Sequence, residues 1–304
     1  MSISTWIVVA GDPAIGKLID TARSLGGQVT AAVVGPRAVA ETVAAAGVDT
    51  VIWFGEPGEA PVEAFATAVA DVIEAAPGVV LGASGASDRV LLGAVAARLQ
   101  APVLTAPSSV SAEGDTLVVT RSTFAGIAEE TVSVAGPVAL LLDGGPVPVA
   151  DAAGGGAPVE EAAAVRLGMS VVETHTSDVE QVDLGAVARV VGIGRGLKTS
   201  GDLAMIEAFA AASGSEVACS RPLAEGLDWL GKDRYVGVSG QQIAPELYFA
   251  IGISGQLQHM VGVRGAATIV AINTDENALV FKDADYCLVG DLYTIVPALT
   301  DALR

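Results

Sequence analysis

The chain has 304 residues, 51% of them apolar and 17% charged, with a formal net charge of −19. That length accommodates two domains with separate cores, and the composition is that of a folded chain rather than a disordered one. So acidic a protein repels nucleic acid and anionic lipid, which excludes both as general partners; a phosphate-bearing ligand has to be held by a few local cations and backbone N–H groups.

Met1–Ala10 carries no basic leader, and Ile7-Val8-Val9 predicts a first buried strand rather than a targeting signal. Apolar runs follow at Gln28–Val34, Asp49–Phe54 and Val79–Gly82. Ala-rich stretches with helical spacing separate them at Gly16–Leu25, Arg37–Ala46, Pro61–Ala75 and Ser87–Leu99. Strands without polar alternation predict a parallel sheet covered on both faces and wound from right-handed βαβ units. Thr116–Arg121 and Glu129–Val134 predict a hairpin-like insertion around Phe124-Ala125-Gly126, and Val138–Leu142 predicts another buried strand. The Gly/Pro/Ala-rich stretch 143–158 cannot hold a packed helix, and Arg166–Thr174 reads as a short strand-like piece.

A second α/β pattern begins after the polar stretch Asp178–Asp183. It predicts an N-terminal α/β domain over 1–180 and a C-terminal one over 181–304. In the latter, Val187–Ile193, Glu216–Cys219, Tyr235–Val238, Leu247–Ile253, Thr268–Ile272 and Tyr286–Val289 read as strands, Asp202–Ala212 as a helix and Asp291–Leu303 as a closing helix. No apolar run approaches the ~20 residues of a spanning helix, so the chain is not expected to be embedded in a membrane. Cys219 and Cys287 form no CxxC pair, which fits a reducing cytoplasm, and no His/Cys/Asp cluster has metal-ligand spacing.

Candidate functional residues gather at the strand ends of the second half, where ligands of open α/β sheets bind. The GIGRG turn, Gly192–Gly196, lets the backbone approach a ligand and sets the cation Arg195 beside it, although it lacks the full dinucleotide fingerprint and also reads as a plain tight turn. Ser220-Arg221 ends the next strand; Arg221 is either a ligand cation or a surface residue before Pro222. Gly237-Val238-Ser239-Gly240 offers a hydroxyl among glycines, without the strand–elbow–helix setting of a nucleophilic Ser. Ser254-Gly255-Gln256-Leu257-Gln258-His259 leads a strand into a Gly turn and a helix expected to start at once, whose N-terminus favours an anion. His259, one of only two histidines, lies one turn in. Asn273 and Asp291 follow strands directly, as turn or N-cap residues or as ligand contacts. His175 reads as surface, and Glu129-Glu130 and Glu160-Glu161 as solvated faces.

Together these segments resemble the electron transfer flavoprotein alpha subunit. From about Val190 onward, GRGLKTSGD, CSRPLAEG, VGVSGQQIAPELYFAIGISGQLQHMVG and TIVAINTDENALVFKDADYCLVGDLYTIVPAL keep that family's order and spacing. The first half is similar in pattern and in pieces such as LGASGASDRVLLGAVAARL. The resemblance implies a C-terminal doubly wound parallel-sheet domain binding one FAD, and an N-terminal parallel-sheet α/β domain contacting a partner subunit. By position, Arg195, Ser220, Val236, Gly237, Val238, Ser239, Ser254, Gly255, Gln256, Leu257, Gln258, His259, Asn273, Asp291 and Leu292 fall on FAD-contacting sites, and Arg221 on an Arg near the flavin ring. Ser239 stands where many members have Thr; Val238 stands where many have Gln, which leaves it a backbone contact.

The same resemblance implies a heterodimer with a beta subunit, which carries AMP in many members. It implies an electron carrier without substrate turnover of its own, taking electrons from acyl-CoA or related dehydrogenases of fatty acid beta-oxidation to a membrane quinone oxidoreductase. Arg221 and His259 would then stabilise negative charge on the reduced flavin. A nicotinamide-dependent oxidoreductase on a related fold, with His259 as its acid or base, and an electron-bifurcating flavoprotein subunit are the alternatives.

Overall fold

The apolar runs of the first half line up side by side. The computed structural model describes residues 3–124, 128–149, 156–163, 165–174, 182 and 184–304, which divide into two compact units, Met1–His175 and Thr176–Arg304.

In the first unit, strands β1 (Ile3–Ala10), β2 (Gly26–Val34), β3 (Thr50–Trp53), β4 (Val79–Ala83), β5 (Val103–Thr105), β9 (Val138–Leu142) and β10 (Val159–Glu161) form one parallel sheet in the order β10-β3-β2-β1-β4-β9-β5. Helices α1 (Gly16–Ser24), α2 (Arg37–Ala44), α3 (Ala66–Glu74) and α4 (Ala86–Leu99) connect its strands. Alternation within β1 feeds two cores: Ile7 and Val9 join one cluster, Trp6 and Val8 the other. Strands β6 (Pro107–Glu113), β7 (Thr116–Thr123) and β8 (Ala128–Ala135) form a separate antiparallel sheet whose Leu117 and Val119 join the first core.

In the second unit, β11 (Arg189–Ile193), β12 (Glu216–Cys219), β13 (Leu247–Ile251), β14 (Ile269–Asn273) and β15 (Tyr286–Val289) form a parallel sheet in the order β12-β11-β13-β14-β15. Val191, Ile193, Ile251 and Ile272 pack with Ile206 and Phe209 of α5 (Leu203–Ser213) and Val296 of α8 (Leu292–Ala302). Val190, Tyr248, Ala250 and Ala271 belong to the opposite core. The chain leaves β11 toward β12 on one side and returns to β13 on the other, so the β11/β13 boundary is the switch point at which such sheets open a crevice.

Several expectations need correction. Tyr235–Val238 is not a strand: Tyr235 and Val236 make only isolated bridges to Cys219 and Gln241, because Gly240 N–H closes a turn onto the Gly237 carbonyl. Arg166–Thr174 forms no strand; it is held by single backbone bonds, Leu167 N–H to Ala64 O and Val171 N–H to Glu59 O. The helix expected at Ser254 begins at Leu257 and ends at Met260 (α7). Strands β5, β6 and β10 are not among the expected ones. Residues 125–127 of the predicted hairpin turn, His175, and most of Asp178–Asp183 lie outside the described residues.

Candidate functional site

At the switch point the chain just past the ends of β11 and β13 meets glycine against glycine. Gly194 N–H donates to Ile251 O and Gly196 N–H to Gly252 O, each at 3.0 Å. A Cβ at Gly196 would lie 2.5 Å from Gly252 Cα, and Gly252 itself sits at φ +63°. Only glycine permits both the approach and the turn. Beyond this contact opens a cleft of about 580 Å³ lined by Gly194, Arg195, Gly196, Ser220, Arg221, Pro222, Tyr235, Val236, Val238, Ser239, Gly252, Ile253, Ser254, Gln256, Gln258, His259 and Asn273.

The lining contains two guanidiniums and no carboxylate, in a chain whose net charge is −19. Arg195 is exposed on the glycine turn and makes no ion pair among the described residues. Arg221 opens the short helix α6 (Arg221–Ala224) and binds Glu225 Oε2 through Nε at 2.7 Å; this hydrogen bond and the carboxylate's charge hold its pKa above the ordinary value. Ser239 Oγ lies 3.0 Å from the Tyr235 hydroxyl. Asn273 spends Nδ2 on Ile253 O and Oδ1 on Asp275 N–H, tying β14 to the cleft wall. Val238 N–H is spent on Gln258 O at 2.8 Å, so an expected backbone contact there cannot use its donor.

His259 is the buried polar member, 8% exposed. Its Nε2 lies 2.8 Å from the hydroxyl of Tyr248, and its Nδ1 has no hydrogen-bond partner. Burial drives its pKa down to about 4, with the Val236 backbone acting in the opposite direction. It is therefore a neutral ring near pH 7, able to act on a ligand through hydrogen bonding. With only four residues, α7 also supplies little of the macrodipole expected behind Ser254.

Gly237, Gly255, Leu257, Asp291 and Leu292 do not line the cleft. Asp291 is the N-cap of α8, its Oδ1 accepting from Tyr293 N–H at 3.1 Å. Leu292 lies in the core, where a Cβ at Gly252 would meet it at 3.2 Å, so it supports that turn from beneath. Gly194 and Gly196 belong to the GIGRG turn singled out in the sequence, whereas the lining residues Pro222, Tyr235, Gly252 and Ile253 were missed as candidates. The glycines carried a signal, since each flanks a strand end; Tyr235 carried none, because its ring position depends on the turn that closes around it.

Residues 183–264 match the electron transfer flavoprotein FAD-binding domain, and residues 12–167 the electron transfer flavoprotein domain. Protein FixB of Escherichia coli O157:H7 is 35% identical over 306 aligned residues, covering 98% of this chain and 97% of FixB. Protein FixB of Salmonella typhimurium is 36% identical over 310, covering 99% and 98%. The chain belongs to the electron transfer flavoprotein alpha-subunit family. It is thus an electron transfer flavoprotein subunit with the two-domain α/β architecture.

The site suits the FAD for which the matched domain is named. A cleft lined by two guanidiniums, of which Arg195 makes no ion pair among the described residues, complements a pyrophosphate. The buried His259 Nδ1 makes no hydrogen bond among the described residues, and the glycine pair Gly196/Gly252 lets the two strand ends that wall the cleft meet backbone to backbone. Among the described residues no group of His, Cys, Asp and Glu could hold a metal ion, and no helix is long and apolar enough to cross a membrane.

Proposed function

We propose that this chain is the FAD-holding alpha subunit of a heterodimeric electron transfer flavoprotein. The observation that carries the reading is the charge of the switch-point cleft: two guanidiniums and no carboxylate in a strongly acidic protein. Arg195 and Ser254 are the residues we assign to the phosphates, and Arg221, Ser239, Gln258 and His259 to the flavin. Bound there, FAD supplies one-electron carriage between a reduced dehydrogenase and an acceptor.

The chain's own part is to bind, orient and bias. Arg195 neutralises phosphate charge at the glycine turn. Arg221 is the cation assigned to the flavin end, and it shares its charge with Glu225. His259, neutral, takes part as a hydrogen-bonding ring. Glycine contact between β11 and β13 fixes the two walls relative to each other.

We assign the N-terminal unit to contact with a beta subunit. Val165, Leu167, Met169, Val171 and Val172 are exposed along one extended segment, with Val172 at 96%. Such apolar exposure marks interaction surfaces. The donors in this reading are acyl-CoA or related dehydrogenases of beta-oxidation, and the acceptor is a quinone oxidoreductase. Both cysteines are free, in keeping with the cytoplasm.

The test is anaerobic mixing of the purified heterodimer with a catalytic amount of acyl-CoA dehydrogenase and an acyl-CoA. Bleaching of the flavin absorbance is expected. Flavin that stays oxidised there but is reduced by NADH would overturn the donor assignment and favour the nicotinamide or bifurcating alternatives.

A further inference from the structure

His259 reaches the cleft wall from a buried position, and what holds it there is a second buried ring. Tyr248 of β13 is 0% exposed, and its hydroxyl lies 2.8 Å from His259 Nε2. That is the one hydrogen bond the hydroxyl makes among the described residues. A phenol with a single buried partner has to donate to it, because accepting instead would strand its own hydrogen away from any acceptor. Nε2 is therefore the acceptor, and a neutral imidazole that accepts at Nε2 carries its hydrogen at Nδ1.

The fold makes room for this bond at one specific place. A Cβ on Gly192 of β11 would lie 1.7 Å from the Tyr248 hydroxyl oxygen. Any side chain at position 192 would push the phenol off the imidazole. The glycine in the middle of a buried strand, usually a weak choice, has its reason here. Both rings are neutral near pH 7: burial lowers the His259 pKa to about 4 and raises that of Tyr248.

We propose that Tyr248 is a positioning residue that donates to His259 Nε2 and locks the imidazole as the Nδ1–H tautomer, keeping the unpartnered Nδ1–H as a donor for an acceptor atom of the cofactor. The cofactor half rests on the FAD reading above; the tautomer lock does not. His259 then acts on the flavin as a fixed hydrogen-bond donor rather than as a charge, and Gly192 is part of the same device.

The test is nitrogen NMR of isotope-labelled histidine in the complete heterodimer at pH 7, with and without FAD, the His175→Asn variant assigning the signals. The wild-type spectrum should show His259 protonated at Nδ1 with a bare Nε2, and the Nδ1 proton should move when FAD is added. Tyr248→Phe should let both tautomers appear and weaken FAD binding about five- to tenfold, as loss of one oriented hydrogen bond does. A wild-type His259 protonated at Nε2, or exchanging between tautomers, overturns the lock, and that reading needs no variant to fold. An Nδ1 proton indifferent to bound FAD overturns the donor role alone. Failure of the heterodimer to bind FAD at all overturns the functional reading and the donor role with it, and is seen separately from the tautomer.

Discussion

The Tyr235 hydroxyl lies 3.0 Å from Ser239 Oγ, and both side chains line the cleft. A serine hydroxyl rotates freely among three rotamers, whereas the β-branched threonine is stiff. Tyr235 thus does for Ser239 what a methyl group does for a threonine. Tyr235→Phe should weaken FAD binding roughly fivefold, a change of about 1 kcal/mol for one hydrogen bond. Adding Ser239→Thr to that variant should recover most of the loss. Fluorescence titration of the apo-heterodimer with FAD measures both, and equal affinity of all three proteins would remove the pair from the site.

Gly252 at φ +63° stands with its Cα against Gly196, where an added Cβ would lie 2.8 Å from Gly196 Cα. Backbone cannot swing aside as a side-chain tip can. Gly252→Ala should cost about 1–3 kcal/mol of stability from the left-handed conformation and the collision together. It should also lower FAD occupancy, since the same contact sets the cleft width. Thermal melts and the flavin-to-protein absorbance ratio report the two effects.

Two buried groups give the two units opposite responses to acid. The folded pKa of His259, about 4, lies below its ordinary 6.5, so the unfolded chain takes up the proton first and stability falls as pH drops through that window. The loss between pH 7 and pH 5 should be about 2 kcal/mol, and His259→Gln should abolish it. Asp88 of α4 is buried and accepts from Ala10 N–H; burial is the larger influence and raises its pKa to about 6. A carboxyl raised above its ordinary 3.8 binds its proton more tightly when folded, so stability is gained as pH falls through about 6. Screening by water limits that gain to roughly 0.5–1 kcal/mol, and Asp88→Asn should remove it. Urea melts at pH 7 and 5, wild type against each variant, check the opposed signs.

Arg221 is exposed and bonded to Glu225. Arg221→Ala should lower the oxidised-to-one-electron-reduced potential of bound FAD by removing a cation near the flavin, and Glu225→Gln should raise it by freeing that cation from its partner. Spectroelectrochemical titration decides; shifts of the same sign would mean that Arg221 acts through folding rather than through charge.

Much of this architecture is legible in the residues themselves. Val79–Gly82, Val138–Leu142 and Tyr286–Val289 are apolar runs too short for helices, and each becomes a strand of a parallel sheet. The polar strand β6 is not legible because Ser108, Ser109 and Ser111 are exposed, and its one half-buried apolar pivot, Val110, makes no run. Arg166–Thr174 misleads in the other direction: its apolar residues alternate as in a strand, yet they remain exposed. In the site, Arg195, Arg221 and Ser254 announce themselves by standing at strand ends. Tyr235 and Tyr248 do not, because each ring finds its partner only after glycines elsewhere, Gly237 and Gly240 for one and Gly192 for the other, have vacated the space. Asp291 looks alike in sequence whether it caps a helix or meets a ligand; the bond from Tyr293 N–H shows the capping role.

Whether the switch-point cleft holds FAD is decided by co-expressing the chain with its beta-type partner, purifying the complex, releasing the cofactor with heat and identifying it by chromatography. A yellow complex that releases one FAD for this chain's cleft is expected, with loss of that FAD when Arg195→Gln and Gly252→Ala are combined. A colourless complex, or flavin retained in full by the double variant, would contradict it.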